Sequence, residues 1–160
     1  MQQISKLWII ALVGIFQSIC SAQTPEVERI IDSYIVYIQN TNATEAFLPE
    51  TIHKTLDIQG EKIDHDITYF SLNSNQLFSV IVQSYGEPEV KTTYYYKDNQ
   101  VIAVFIEENN FSSNPKDKKF RNYFLKDNEI ILEEPINSSD DYKFFIFLGK
   151  GLVDNFLRNK

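Results

Sequence analysis

Between Asp64 and Glu134 the chain repeats one pattern three times. "TYFSLNSNQLFSVIV" (68–82), "TTYYYKDNQVIAVF" (92–105) and "NYFLKDNEIILEE" (122–134) each set two apolar runs around a short polar step. Aligning Asn75-Gln76 on Asn99-Gln100, and Asp127-Asn128 on Asp98-Asn99, puts the copies 24 and then 29 residues apart. The flanking residues are β-branched or aromatic, as strands require. Asn and Asp tolerate the left-handed backbone that two-residue hairpin turns demand. The pattern predicts three successive hairpins and an antiparallel meander of about six strands.

Strand side chains alternate between faces, so each hairpin also predicts a core. Simple pairing across Asp98-Asn99 groups Tyr94, Tyr96, Val101, Ala103 and Phe105 on one side. The equivalent residues are Phe70, Leu72, Leu77, Ile81, Tyr123, Leu125, Ile130 and Leu132, with Ser79 the polar exception. The other side is mixed, and Tyr69, Phe78, Tyr95 and Phe124 recur on it. These four aromatics are the candidate binding residues, suited to an envelope protein, a peptide or a glycan if that face is uncovered.

Outside the hairpins, "PEVERIIDSYIVYIQN" spaces Val27, Ile30, Ile31, Tyr34, Ile35 and Ile38 as one helix face. Pro25, Glu26 and Glu28 suit a helix start, predicting an amphipathic helix over about 25–40. Residues 41–62 fit a strand, a helix or a loop. Near the C terminus Ser139, Asp140 and Asp141 suit an N-cap, and Phe145, Leu148, Leu152 and Phe156 form a helical stripe. Gly149 and Gly151 weaken that helix, and "YKFFIFLG" also reads as a seventh strand. The expected fold is α+β, with helices on one face of the antiparallel sheet.

The N terminus bears on destination. "MQQISK", the apolar run Leu7–Phe16 and "QSICSA" follow the order of a secretory signal peptide over residues 1–22. The apolar run is about half the length a membrane span needs. A lipoprotein anchor at Cys20 fits less well, because Ile19 stands where a small residue is usual. Cleavage after Ala22 leaves a single domain, 23–160, without cysteine, destined for the periplasm or the exterior. It also removes Lys6, so the balance becomes 14 − 22 = −8, against −7 for the whole chain. The densest basic stretch is Lys116–Lys119, which argues against nucleic acid and against a polybasic membrane contact.

The hairpin residues also carry a resemblance. "GEPEVKTTYYYKDNQVIAVFIEE" and "FRNYFLKDNEII" resemble an uncharacterised family of small exported bacterial proteins with repeated Tyr-Tyr-Phe-x-Asp-Gly-Lys-Leu hairpins. Asn99 and Asn128 stand where that pattern has Gly, and Gln100 and Glu129 where it has Lys. The resemblance implies export and a hairpin sheet. It supplies no activity, and no functional residue is carried over.

Chemistry-bearing motifs are few. Asp64-His65-Asp66 is the most reactive-looking triplet and anchors the enzyme alternative, a secreted hydrolase. In a strand its two carboxylates share one face while His65 points away, and the other histidine is His53. No nucleophile-elbow, zinc-protease, P-loop or dinucleotide motif occurs, and no cofactor or metal is expected. Glu107-Glu108 and Glu133-Glu134 read as charged strand ends. Asn42, Asn110 and Asn137 open glycosylation sequons, which chance explains in an Asn- and Ser-rich bacterial sequence.

Overall fold

The computed structural model describes residues 25–58, 61–110, 118–135 and 142–158. The predicted signal segment, the Asn137 sequon, the predicted Ser139–Asp141 cap and most of the Asn114–Lys119 connection lie outside them. The chain divides into two compact units, one ending at Thr44 and one beginning at Glu45.

In the first unit, α1 spans Pro25–Thr44. It continues a turn beyond the predicted end, where the Thr44 hydroxyl donates to the Asn40 carbonyl at 2.9 Å. Ile31 and Ile38, two turns apart on the expected stripe, are buried.

The second unit is an α+β meander. Seven strands, β1 (Glu50–Ile58), β2 (Glu61–Asn73), β3 (Gln76–Ser84), β4 (Glu89–Lys97), β5 (Gln100–Asn109), β6 (Lys119–Lys126) and β7 (Glu129–Glu134), lie side by side in chain order. All neighbours are antiparallel. The three expected hairpins are β2–β3, β4–β5 and β6–β7. The additional strand, β1, comes from the stretch whose sequence fitted several structures. α2 (Tyr142–Arg158) packs on β3 and β5, which decides "YKFFIFLG" for helix.

The last two hairpin turns have the backbone their residues favour. Asp98 and Asn99 have φ of 53° and 60°, and Asp127 and Asn128 have 52° and 68°. Two successive left-handed residues match the twist of the strands they join.

Beside each turn the pairing skips residues: Leu72 and Phe78 in the first hairpin, Ile102 in the second and Ile131 in the third. Such a bulge shifts side-chain alternation by one residue beyond it. This corrects the predicted faces. Tyr94 pairs with Val104 and Tyr95 with Ala103, so Ala103 and Phe105 leave the Tyr94 side. Under α2 the core contains Tyr69, Leu77, Val80, Tyr94, Tyr96, Val101, Val104, Tyr123 and Leu125, packed with Leu152, Val153 and Phe156. Phe70, Ile81, Ala103, Phe105 and Leu132 lie on the opposite face with Tyr95 and Phe124.

The three consecutive tyrosines divide between these faces. Tyr94 and Tyr96 are fully buried beneath α2, and burial pushes both hydroxyls well above their ordinary pKa. The Tyr96 hydroxyl donates to the Gly149 carbonyl at 3.0 Å. A Cβ on Gly149 would stand 2.9 Å from the Tyr94 ring, so the glycine admits the helix to the sheet. Tyr95 points the other way. Its ring contacts Phe78 and Phe105, with centroids 5.7 and 5.5 Å away.

Candidate functional site

The four sequence-selected aromatics do not form an exposed patch. Tyr69 lies on the α2 side, its ring 6.1 Å from Phe156. Phe78 and Phe124 are 0% and 1% exposed, and Tyr95 is half-buried between neighbouring rings. Phe47 stacks on Phe78 at 4.9 Å, and the row continues through Tyr95 and Phe105 to Phe124. Aromatic contacts of this geometry are packing energy. The bulge moved Tyr69 to the other side, and ring-on-ring packing buries the rest.

The polar cluster lies at the opposite end of the same face, on β1 and β2. Three consecutive cross-strand pairs face solvent there: Thr51 with Thr68, His53 with Asp66, and Thr55 with Asp64. The Thr51 and Thr68 hydroxyls are 3.0 Å apart. His53 Nδ1 lies 2.7 Å from Asp66 Oδ1, and Nε2 lies 3.9 Å from Asp64 Oδ1. Thr55 donates to Asp64 and the Tyr85 hydroxyl to Asp66 Oδ2, both at 2.7 Å.

The hydrogen bond to Asp66 raises the His53 pKa, and the Asp64 charge adds to it. The same bond, followed by that from Tyr85, lowers the Asp66 pKa. The Tyr85 pKa is raised, chiefly by its bond to Asp66. With His53 60% exposed, water screens this pair, and its energetic contribution is small.

His65 does not join this cluster. It sits on the α2 side of β2, and its Nε2 is buried without a partner among the described residues. Asp64 and Asp66 therefore converge on His53, across the strand pair, rather than on their sequence neighbour. Among the described residues no group of three or more His, Cys, Asp or Glu is arranged to hold a metal.

β1 is also an edge of the sheet. All nine residues pair with β2 without a bulge. The Tyr85 amide donates to the Asp64 carbonyl at 2.9 Å, so the Asp64 backbone faces the β3 side. A strand residue sends its N–H and C=O to the same side, and successive residues alternate. Through the Asp64–Thr55 register, Glu50, Ile52 and Lys54 bond β2 while Thr51, His53 and Thr55 aim their backbone groups outward. Sequence reading missed this edge because it left 41–62 open; the alternation of Thr51, His53 and Thr55 with Ile52 was the available signal.

The remaining acidic pairs differ from each other. Glu107 meets Lys118 at 2.9 Å, and Glu108 meets Arg121 at 3.3 Å. Glu134, read as a charged strand end, is 9% exposed on β7, and burial raises its pKa.

Comparison with protein-family models, with curated proteins and with solved structures finds no match.

Proposed function

We propose that this chain is an exported, non-catalytic binding module that accepts an extended polypeptide segment as an eighth strand on β1. One observation carries the reading: Thr51, His53 and Thr55 direct their backbone groups away from β2, where no described strand pairs with them. Main-chain hydrogen bonds to such an edge supply affinity, and alternate side chains supply selectivity. The export component rests on the apolar run Leu7–Phe16 with its flanks.

The test is a display selection of random extended peptides on the protein, read out by amide exchange. Selected peptides are expected to slow exchange at Thr51, His53 and Thr55. Thr51→Pro removes an outward N–H that β2 does not use, so the fold is retained while peptide binding falls. Peptides that bind Thr51→Pro as well as wild type, and leave those three amides unchanged, contradict the proposal.

A hydrolase reading has one feature in its favour, since Asp66 fixes the His53 ring as an acid–base residue needs. Against it, Nε2 faces Asp64 rather than a nucleophile. Ester or amide hydrolysis that disappears in His53→Ala would support that alternative.

A further inference from the structure

We infer that the strand this edge accepts is β1 of a second copy, paired antiparallel about a two-fold axis through Ile52. The inference rests on the strand-addition reading and adds the identity of the partner.

Among the described side chains of β1, those on the α2 side are Glu50, Ile52 and Lys54. Glu50 and Lys54 are exposed, while Ile52 is half-buried against the core cluster. An antiparallel partner suits this side if it offers a cation opposite Glu50, an apolar residue opposite Ile52 and an anion opposite Lys54. Read in that direction, the required pattern is acidic, any, apolar, any, basic. Glu50-Thr51-Ile52-His53-Lys54 has that pattern itself.

The backbone agrees. In this register Thr51 stands opposite His53 of the second copy, and both direct their N–H and C=O outward. Ile52 meets its own copy at the position where antiparallel side chains come closest. Moving the axis to His53 sets Ile52 against Lys54. Moving it to Lys54 places two like charges side by side. A one-residue slip would exchange the faces. Pro49 has no N–H, which limits the ladder beyond Glu50.

A two-fold axis perpendicular to the sheet keeps both α2 helices on the same side. It joins two seven-stranded sheets into one, an isologous interface. Five residues a side make a small contact, so the dimer is weak and concentration-dependent.

A charge swap tests the inference. Sedimentation velocity over a concentration series is run on wild type, Glu50→Lys, Lys54→Glu and the double variant. Both substitutions fall on exposed positions, so the fold is retained. Wild type is expected to dimerise, each single change to weaken the dimer about tenfold or more, and the double change to restore it. Wild type that stays monomeric at the highest concentration overturns the inference, as does a double variant no better than the singles. If display-selected peptides still protect Thr51, His53 and Thr55 in that case, strand addition stands and only self-pairing falls.

Discussion

The two edges of the sheet handle the same problem differently. β7 is six residues long, carries a bulge at Ile131 and runs into Pro135, which has no N–H to offer. Its last residue, Glu134, is buried although charged. β1 is nine residues long, pairs without interruption and shows solvent a row of two threonines and a histidine, Thr51, His53 and Thr55. Shortness, bulges and prolines are the devices that stop a sheet from growing. β7 has all three, whereas β1 has only the flanking Pro49, which leaves β1 the longer uninterrupted edge.

The largest test of this contrast is packing. Phe124→Ala, on the strand beside β7, is expected to cost about 3–5 kcal/mol, and Leu132→Ala about 2–3 kcal/mol. Ile52→Ala on half-buried β1 should cost only about 1 kcal/mol. Denaturant unfolding measures all three, and equal losses at the two edges would break the comparison.

The turns give a smaller contrast. Asn99 and Asn128 share a left-handed backbone, which alone would favour glycine. Asn99 also uses its side chain: Nδ2 donates to the Asn75 carbonyl at 2.8 Å and Oδ1 accepts from the Leu77 amide at 2.9 Å. Asn99→Gly, which unties the first hairpin from the second, should therefore cost about 1–2 kcal/mol. Asn128→Gly should be neutral or stabilising by a few tenths, roughly, in the same measurement.

Glu134 and His53 give the smallest effects, which separate by pH. The raised Glu134 pKa means that its charge opposes folding above the ordinary 4.5 and that this penalty disappears below it. Glu134→Gln should therefore raise the melting temperature at neutral pH, with the gain shrinking on acidification. At β1 the signs differ. The raised His53 pKa contributes stability that is complete below 6.5 and lost as pH rises through its folded value. The lowered Asp66 pKa contributes stability present above 3.8 and lost as pH falls through its folded value. The difference between wild type and His53→Ala should be small and greatest between those two ordinary values. A pH-independent difference would remove His53–Asp66 from the account.

Much of the architecture was legible because hairpin chemistry is local. Asp98-Asn99 and Asp127-Asn128 announce their turns, and the Ile30-Ile31-Tyr34-Ile38 spacing announces α1. The faces were not legible beyond the turns. A bulge leaves no local mark in "QVIAVF" or "EIILEE", yet one extra residue redirects each side chain after it. That is why Tyr69 was grouped with Phe78. His53 was hidden for a related reason: it meets Asp66 only through the register of β1, and Asp64-His65-Asp66 drew attention to the wrong histidine. Gly149 read as a helix weakness, whereas the nearby Tyr94 ring requires it.

The central claim is that β1 has an open outer edge, and residue-resolved amide exchange addresses it most directly. In dilute protein, Ile52 and Lys54 should exchange slowly while Thr51, His53 and Thr55 exchange fast. Raising the concentration should slow Thr51 and His53 and leave β7 unchanged. Slow exchange at Thr51, His53 and Thr55 in dilute, monomeric protein would mean that the edge is already covered, and would contradict the account.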